Sequence, residues 1–515
     1  MISPRLALFC VLVIGVALLC DRRTIAAQAP VPFVFQAPPR FERTACPFTP
    51  APDQTEGQTV TCGVVFVPED RTQHRGSTIR LAVAIFRARD SSRAAPPLLF
   101  LGGGPGTAVL SGFAPSITGQ LAADLTARRD LVLIDQRGVG FSQPSLACQE
   151  LIDVKYQQLG QHLSRAQESE ARVQAANRCH DRLRRAGVSL AAYTTAAGAA
   201  DIDDIRRALG YQQVDLWGVS YGARLALAVM QAYPSTLRAV VLDSPLAPQV
   251  QQLVEIPGNV ARSFWLLFDE CAASPRCAAA FPNLEARFYQ LVAEFNATPL
   301  RYQAQHPRTG VVHDIVLTGD RLVRTLFDAL YHTDLIPILP LAEASLHARG
   351  SSLLALAAGR LIFDDDLSHG MNYSVQCAEE GSLTHPAQVA AARQRVRPEI
   401  GDIFTQEDFF RVCSTWGAAR LLPTVKLPVV SAIPTLILSG QYDPITPPAY
   451  GRMVARTLLR STFFEFPGVG HVTTGGFACA HSIMLQFLAN PTRRPDAACI
   501  AQMGPPEWII PAAGP

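Results

Sequence analysis

The chain has 515 residues, of which 48% are hydrophobic and 17% are charged, so it carries too much apolar material for an intrinsically disordered protein. Its 45 basic and 43 acidic residues nearly cancel. This balance argues against a nucleic-acid-binding protein, which normally shows a clear basic excess. The length suits about two or three domains, or one large α/β domain with an insertion.

Residues 1–27 have the pattern of an export signal. Arg5 precedes an uncharged apolar stretch, Leu6–Cys20, and Ile25-Ala26-Ala27 has the pattern of a small-residue cleavage site. The stretch is shorter than the ~20 residues that a membrane-spanning helix needs. We expect cleavage after Ala27 and a mature chain that is secreted, periplasmic or held in the cell envelope. Two alternatives stay open: a lipoprotein that is modified at Cys20, and an uncleaved anchor.

Ten of the twelve cysteines remain when Cys10 and Cys20 of the signal are set aside. Disulfides persist in an oxidising compartment, so we expect these ten to pair. Their scattered spacing, with no C-x-x-C pair, argues against a zinc site. Spacing alone does not fix the connectivity. Pairing of chain neighbours is our hypothesis, which gives Cys46–Cys62, Cys148–Cys179, Cys271–Cys277, Cys377–Cys413 and Cys479–Cys499.

Residues 28–60 are rich in proline and predict an extended arm. Short apolar runs then alternate with helical segments such as Ala200–Leu209 and Tyr221–Ala232. The runs are bounded by turn residues, which is typical of strands buried on both faces of a parallel sheet. The predicted strands are Thr61–Pro68, Thr78–Phe86, Pro97–Leu101, Leu131–Ile134, Val214–Trp217, Ala239–Leu242, Thr435–Leu438 and Thr462–Phe466. The alternation predicts a doubly wound α/β sheet.

The interval 248–428 departs from this alternation. It contains amphipathic helical stretches, Leu284–Phe295 and Asp320–Leu330, and few strand candidates. We therefore expect a helical cap that is inserted between two parts of an α/β core, residues 61–247 and 429–515. The cap should cover the carboxyl edge of the sheet, where open α/β sheets bind their ligands.

A nucleophile motif, Gly218-Val219-Ser220-Tyr221-Gly222, follows a predicted strand and precedes a predicted helix. This is the setting that G-x-S-x-G requires. Side chains at Gly218 and Gly222 would collide with the neighbouring strand or helix, and the tight turn would hold Ser220 in a strained conformation. The helix N-terminus favours a developing anion. Ser220 is the predicted nucleophile, and the alternative is a buried turn serine.

Two further side chains follow the ends of predicted strands at the edge where Ser220 emerges. In α/β folds with this motif the chain order is nucleophile, acid, histidine. We predict His471 as the general base and Asp443 as the acid that orients it. His481 competes with His471, but it opens an apolar helical stretch and is expected to be structural. Asp243 competes with Asp443, and we expect it to cap the start of the insertion.

A glycine run, Gly102-Gly103-Gly104-Pro105-Gly106, follows the strand predicted at Pro97–Leu101. Backbone N–H groups in such a run can approach a substrate carbonyl closely, and a tetrahedral oxyanion needs two donors. We predict the N–H groups of Gly104 and Tyr221 as this oxyanion hole. A phosphate-binding loop does not fit, because its lysine is missing.

Together with Asp135-Gln136-Arg137-Gly138 and Gly470-His471, these motifs resemble the α/β-hydrolase family of proline iminopeptidases. The region around Asp443 and Cys479–Cys499 is most similar to the secreted, tripeptidyl-aminopeptidase-like (TAP-like) branch. The resemblance covers nearly all of the mature chain. It implies a mostly parallel eight-stranded sheet with a helical cap, a Ser–Asp–His triad, no metal or other cofactor, and release of residues from peptide N-termini. Gly102 stands where the family's typical loop has histidine, but backbone donors should keep the oxyanion hole intact.

Several other charged residues are candidates for structural or substrate-binding roles. In the family the Asp135–Arg137 segment is structural, and we expect an Asp–Arg pair that braces loops. Arg224 is expected to form a structural bridge. An aminopeptidase must bind the substrate ammonium, and a desolvated ion pair needs an opposite charge. Glu379 and Glu380 are the candidates for that contact; the alternative is a pair of solvated surface carboxylates.

These residues predict an exported serine hydrolase, most specifically an aminopeptidase of prolyl or tripeptidyl type that works through an acyl-enzyme. A carboxylesterase or lipase is the alternative, because ester and amide hydrolysis share the triad. A non-catalytic binding protein on the same fold is the third hypothesis. The expected partner is a peptide or small ester substrate, with no nucleic acid and no stable membrane insertion after signal cleavage. The sequence does not fix the oligomeric state.

Overall fold

The structure, a computed structural model, describes residues 39–73, 76–90, 95–476 and 478–511. The predicted export signal, its cleavage site, the alternatives at Cys20 and the first part of the arm lie outside these ranges. Within them, no helix is both long and apolar enough to cross a membrane.

A large β-sheet forms the centre of the described structure. Its strands are β1 (Phe41–Thr44), β2 (Val60–Pro68), β3 (Thr78–Phe86), β4 (Leu98–Leu101), β5 (Leu131–Ile134), β6 (Val214–Val219), β7 (Leu237–Asp243), β10 (Thr435–Gly440) and β11 (Ser461–Phe466), while β8 (Leu300–Gln305) and β9 (Val312–Leu317) form a separate antiparallel hairpin. The order across the sheet is β1-β2-β3-β5-β4-β6-β7-β10-β11. The six strands from β5 to β11 in this order run parallel.

The sheet agrees with the predicted fold class, and all eight predicted strands are present within a few residues of their predicted bounds. Among the described residues it has nine strands, one more than the resemblance implies. The additional strand, β1, lies in the segment predicted as an extended arm and pairs antiparallel with β2. The disulfide Cys46–Cys62 ties the residues after β1 to β2.

Helices pack on both faces of the sheet and on one another. The α-helices are α1 (Val109–Gly112), α2 (Gly119–Thr126), α3 (Gln149–Leu159), α4 (Arg165–Arg185), α5 (Thr195–Ala208), α6 (Tyr221–Ala232), α7 (Gln252–Ala273), α8 (Pro275–Ala280), α9 (Leu284–Ala297), α10 (Gly319–Ala329), α11 (Leu339–His347), α12 (Ser352–Leu361), α13 (His369–Gln376), α14 (Pro386–Arg393), α15 (Pro398–Gly401), α16 (Glu407–Trp416), α17 (Pro448–Ala455) and α18 (Ala478–Ala489). Apolar residues of α5, α6 and α17 cover one face, and those of α1, α2 and α18 cover the other. Strands β4, β5 and β6 are therefore buried throughout, which explains why they read as continuous apolar runs.

Between β7 and β10 the chain is mostly helical, from α7 to α16, with a π-helical turn at Cys377–Gly381. The hairpin β8–β9 is the part of this insertion that the sequence did not predict. Helices α3 and α4, from the segment assigned to the first part of the core, pack on α16 and on each other. The cap is thus built from two separate stretches of chain, α3–α4 and α7–α16.

Five disulfides join the same five pairs that neighbour pairing gives. Two of them, Cys148–Cys179 and Cys377–Cys413, lie in one apolar cluster with Trp416, where α3, α4 and α16 meet. The cap therefore has covalent links inside its apolar core.

Candidate active site

Ser220 lies on a sharp turn between β6 and α6, with φ 58° and ψ −120°. Left-handed backbone is rare for a residue that carries a Cβ. The turn requires glycine at both flanking positions. A Cβ at Gly218 would overlap the carbonyl oxygen of Gly222, and a Cβ at Gly222 would overlap the carbonyl oxygen of Leu101 in β4. The strained turn and both glycine requirements were predicted from the sequence. They hold the Ser220 hydroxyl at the N-terminus of α6.

Asp443 and His471 meet as the sequence predicts. Asp443 Oδ2 lies 2.7 Å from His471 Nδ1. The carboxylate is fully buried, and it also accepts hydrogen bonds from the N–H groups of Ile445 and Thr446 and from the Thr446 hydroxyl. Because Nδ1 faces Asp443, the other ring nitrogen of His471 is left to act as the base.

Each member of this pair shifts the pKa of the other. Burial by itself raises the pKa of Asp443, but the charge and hydrogen bond of His471 outweigh it, and the net pKa is lowered. Burial by itself lowers the pKa of His471, but the charge and hydrogen bond of Asp443 outweigh it, and the net pKa is raised. The pair therefore favours the imidazolium that forms when His471 accepts a proton.

Asp243 connects the Ser220 turn to the His471 loop. Its backbone carbonyl accepts the Ser220 N–H at 2.9 Å. Its carboxylate accepts the N–H groups of Thr473 and Thr474 at 2.9 and 2.8 Å, and both of their hydroxyls. The expectation that Asp243 caps the start of the insertion is corrected: at the end of β7 its carboxylate points to the segment that follows His471.

Backbone strain is concentrated around this junction. In the described ranges, Ser220, Ser244 and Val472 are three of the six non-glycine residues with positive φ. Val472 is β-branched and has φ 68°, which makes it a strong outlier. Its N–H donates to the Ser244 hydroxyl at 3.1 Å. Strain of this kind persists only where the surroundings enforce it, and it accumulates at functional sites.

Among the described residues no hydrogen bond joins the Ser220 hydroxyl to His471. Asp243 nevertheless links the two segments, because its carbonyl binds the Ser220 N–H and its carboxylate binds the residues that follow His471. Catalytic hydrogen bonds are often long or poorly aligned without substrate and tighten when it binds. His481, the competing histidine, lies on α18 with Nε2 3.5 Å from Asp124, which agrees with a structural role.

Three residues of the cap make contacts with the active-site loops that the sequence did not reveal. The Tyr331 carbonyl accepts the His471 N–H at 3.1 Å, and the Tyr331 ring lies edge-on to the imidazole with centroids 5.0 Å apart. The Thr333 hydroxyl accepts the Gly470 N–H at 2.9 Å. Arg262 of α7 donates to the Asp443 carbonyl at 2.5 Å. These residues carry no motif, and only the fold brings them to the loops of the acid and the base.

The glycine run lies beside Ser220. A Cβ at Gly103 would stand 3.0 Å from Ser220 Cβ, so Gly103 is in direct contact with the turn. Gly104 has φ 105°, and a Cβ there would come 3.0 Å from the backbone nitrogen of Thr107. The cap holds the end of this loop, because Ser368 donates its N–H to the Gly106 carbonyl at 2.8 Å. The loop and the N-terminus of α6, where Tyr221 begins the helix, therefore flank Ser220.

Asp135 and Arg137 are structural, but they do not form the pair that we expected. The Asp135 carboxylate accepts the N–H groups of Val109 and Leu110 at the start of α1, at 2.7 and 3.0 Å. Arg137 is fully buried and forms a two-pronged ion pair with Asp201 of α5, with both distances 2.7 Å. The two side chains brace different elements.

Glu379 and Glu380 are buried, and internal groups already occupy all four carboxylate oxygens. Glu379 accepts the Thr195 N–H at 3.0 Å and pairs with Arg224 at 2.9 Å. Glu380 pairs with Arg224 at 3.1 Å and with Lys426, and it accepts the N–H of Gln252 at 3.2 Å. This corrects both the ammonium-binding expectation and its solvated alternative. The glutamates join the cap to α6 through Arg224, which is the structural bridge expected of that arginine.

Ser220, His471 and Asp443 supply the groups needed for nucleophilic attack on a carbonyl, and the N–H groups beside Ser220 can face the oxyanion that forms. In the described part of the chain, no group of three or more histidine, cysteine or carboxylate side chains is placed to hold a metal ion.

Comparison with known proteins places this arrangement in a family. A family model described as alpha/beta hydrolase fold matches residues 96–474. Serine protease Hip1 of Mycobacterium tuberculosis is 27% identical over 465 residues, which are 85% of this chain and 86% of that protein. Carboxylesterase B of the same organism is 28% identical over 477 residues, 86% of this chain and 87% of that protein. Tripeptidyl aminopeptidase of Streptomyces lividans is 34% identical over 198 residues, 37% of this chain and 36% of that protein. The family match spans most of the described fold and includes Ser220, Asp443 and His471, and the chain belongs to the α/β-hydrolase fold family.

Proposed function

We propose that this serine hydrolase is an exported aminopeptidase that releases residues or short peptides from free N-termini through an acyl-enzyme on Ser220. The observation that carries the catalytic part of the proposal is the 2.7 Å contact between His471 and the buried Asp443, on a loop that Asp243 ties to the Ser220 turn. This arrangement supplies a base, its orienting acid and a nucleophile at one edge of the sheet.

In the first half of the proposed reaction, His471 takes the proton of the Ser220 hydroxyl and the oxygen attacks the scissile carbonyl. Asp443 keeps the imidazole oriented and favours its charged form. The carbonyl oxygen becomes an oxyanion, which accepts hydrogen bonds from the N–H groups of Tyr221 and Gly104. Loss of one such donor costs about 10²–10³ in turnover.

Collapse of this intermediate breaks the peptide bond. His471 gives its proton to the leaving amine, and the N-terminal portion of the substrate stays bound to Ser220 as an ester. Water then enters, His471 takes one of its protons, and the hydroxide attacks the ester carbonyl. The second intermediate expels Ser220, which recovers its proton from His471.

Export is supported by the disulfides and by the pattern of residues 1–27. Five cysteine pairs are bonded in the described structure, and such bonds persist in oxidising compartments. We propose that the mature protein acts in the cell envelope or outside the cell.

The substrate class is supported by the relatives. One is named a tripeptidyl aminopeptidase and another a serine protease, and the second aligns along most of both chains. We propose the same class of bond, a peptide bond near a free N-terminus, for this chain.

The test compares fluorogenic di- and tripeptides that have a free amine with their N-acetylated copies. We expect turnover of the free peptides and a large loss of kcat/KM on acetylation, because the proposed substrate presents an ammonium group. Equal rates for both sets would contradict the aminopeptidase proposal and leave the serine hydrolase intact.

The role of Ser220 is tested separately. In Ser220→Ala, turnover should fall by about 10⁴-fold or more and a fluorophosphonate probe should no longer label the protein. The matched control is Ser235→Ala, at an exposed serine remote from the turn, which should keep both activity and labelling. Labelling of Ser220→Ala at wild-type level would show that another residue is the nucleophile.

A carboxylesterase is the second candidate, because the relative named carboxylesterase B aligns over 86% of this chain. The same triad hydrolyses esters. Turnover of unactivated alkyl esters, together with no detectable hydrolysis of any free-amine peptide, would favour this function.

A further inference from the structure

Exposed aliphatic side chains are grouped where the chain returns from the cap to the sheet. Four of the ten large apolar side chains that are exposed in the described ranges belong to this group. Single apolar residues are common on protein surfaces, but a group of them marks an interaction surface. The exposed apolar patch consists of Leu422, Leu427, Val430 and Leu459, which are 72%, 58%, 71% and 74% exposed.

The first three members of the patch follow one another along a short stretch of chain. Leu422 and Leu427 flank a single 3-10 turn, Pro423–Lys426. Such a turn rises only about 2 Å per residue, so the two leucines stay close. Val430 is three residues further on, and a stretch of that length spans at most about 11 Å.

A β-bridge adds Leu459 to the same surface. Ser431 pairs in parallel with Leu458, and the Ser431 carbonyl accepts the Leu459 N–H at 2.8 Å. Successive residues of an extended chain point to opposite sides. Val429 and Leu458 therefore enter the core together, while Val430 and Leu459 both face solvent.

The part of the sequence that carries the patch is strongly basic, although the whole chain is nearly neutral. Residues 409–464 contain six arginines and lysines, and their one carboxylate is Asp443 of the predicted triad. Three of the basic side chains form ion pairs with carboxylates from elsewhere in the chain: Arg411 with Glu170, Lys426 with Glu380 and Arg452 with Glu465. The other three are exposed, and within the described residues their side chains form neither an ion pair nor a hydrogen bond; they are Arg420, Arg456 and Arg460.

The three unpaired arginines lie around the patch. Arg420 precedes Leu422 by two residues, and Arg460 directly follows Leu459. Arg456 precedes Thr457, whose carbonyl accepts the Ser431 N–H at 3.3 Å. The surface thus combines an aliphatic centre with positive charge that has no partner inside the described structure.

This combination is complementary to an anionic lipid surface. Leucine side chains can enter the boundary of the acyl chains, while arginines stay among the negative head groups. A second copy of this chain is a poorer partner, because a symmetric contact would place the arginines against their own copies. Protein interfaces draw most of their binding energy from Trp, Tyr and Arg, whereas Leu and Val are under-represented among the residues that dominate it. The patch itself contains only Leu and Val.

We propose that the exposed apolar patch binds peripherally to an anionic lipid bilayer. Its leucines and valine enter the acyl boundary, and Arg420, Arg456 and Arg460 contact the phosphate groups of the lipids. The protein then lies on the bilayer without spanning it. This proposal does not depend on the peptide or ester specificity of Ser220.

Vesicle flotation tests the proposal. The full chain is expressed with residues 1–27, so that the host processes it, and is mixed either with vesicles of phosphatidylcholine alone or with vesicles of equal parts phosphatidylcholine and phosphatidylglycerol. Each basic residue near an anionic surface contributes about fivefold in affinity, so we expect binding to the anionic vesicles that is roughly 100-fold tighter and that high salt weakens. Absence of binding to the anionic vesicles, or equal binding to both kinds, overturns the proposal.

Two triple variants locate the contact. Leu427→Ser/Val430→Ser/Leu459→Ser should no longer float with the anionic vesicles, because the apolar contact is lost. Arg420→Gln/Arg456→Gln/Arg460→Gln should bind them roughly 100-fold more weakly. Both variants change exposed side chains, and fluorophosphonate labelling of Ser220 at the wild-type level checks that they are folded. Flotation of either variant at the wild-type level overturns the proposal.

Matched controls remove the same chemistry from other surfaces. Arg178→Gln/Arg184→Gln/Arg185→Gln removes three exposed arginines from α4, and Val311→Ser/Val312→Ser removes an exposed apolar pair at the β8–β9 hairpin. Both should float like the wild type. A loss of binding in these controls equal to that in the patch variants overturns the assignment to the patch. A wild-type dimer in sedimentation that the serine triple variant abolishes would show a second copy on the patch and would also overturn the proposal.

Discussion

At the scale of single residues, the Asp443–His471 contact predicts how activity depends on pH. His471 must be neutral to accept the Ser220 proton, and its pKa is raised above the ordinary value of 6.5. The kcat/KM should therefore rise with pH, with a midpoint above 6.5, and fall below it as His471 becomes protonated. Measurement of kcat/KM from pH 5 to 9 checks this, and we expect a plateau above the midpoint.

Asp443→Asn removes the charge that raises the pKa of His471. We expect the midpoint to move to lower pH and kcat to fall by about 10⁴-fold, because the imidazole loses its orienting partner. The control is Asp124→Asn, which removes the neighbour of His481 instead and should leave the profile unchanged. A flat profile between pH 5 and 8 in the wild-type protein would contradict the role of His471.

Residues that follow strand ends could be recognised from the sequence, because a parallel sheet brings its carboxyl ends together. This is why Ser220, Asp443 and His471 were found. The partners of Arg137 and Glu380 could not be found in this way. Arg137 pairs with a residue 64 positions away and Glu380 with one 156 positions away, and neither separation has a periodic signature.

At the scale of elements, the turn before α6 depends on a close approach between α6 and β4. Gly222→Ala would place a methyl group onto the Leu101 carbonyl, so we expect a loss of about 1–3 kcal/mol of unfolding free energy together with most of the activity. Gly258→Ala is the matched control, because Gly258 lies inside α7 and a Cβ there has no neighbour within 4 Å. That variant should be stabilised by roughly 0.5–1 kcal/mol. Urea unfolding of both variants gives the comparison.

Glu380 connects the cap to α6 through buried ion pairs with Arg224 and Lys426. Glu380→Gln should lower the free energy of unfolding by about 3–5 kcal/mol, because it leaves buried positive charge without its partner. Glu170→Gln, at a half-exposed glutamate, should change it by less than about 1 kcal/mol. If Glu380→Gln unfolds like the wild type but raises KM for free-amine peptides alone, the ammonium-binding role would be restored.

The elements that sequence patterns missed are those without a buried apolar run. Strands β8 and β9 alternate buried and exposed residues only in part, and they lie in a segment otherwise made of helices. Strand β1 is mostly exposed and has one half-buried residue, Phe41. The contact of α3 and α4 with α16 is tertiary, and the order of the chain gives no indication of it.

At the scale of the whole molecule, the disulfides should stabilise the fold unequally. The cross-link Cys377–Cys413 spans 36 residues and Cys271–Cys277 spans six. In the chain-entropy account a longer loop gives the larger effect, typically about 2–4 kcal/mol. Replacing both cysteines of the long loop by serine should lower Tm more than the same change in the short loop. An equal or reversed order in thermal unfolding would contradict this.

The cap also sets a limit on how substrate can reach the hydroxyl. Its parts come from two distant stretches of chain and are cross-linked by disulfides. Its Tyr331 carbonyl accepts a hydrogen bond from the N–H of His471, the predicted base. If the cap moved away from the sheet as a rigid body, the contacts of Tyr331 would displace the imidazole of His471. Admission of a peptide is therefore better served by small local rearrangements at the rim. We therefore expect that a variant without the cap would lose hydrolase activity rather than gain it, because the contacts that position His471 would be missing.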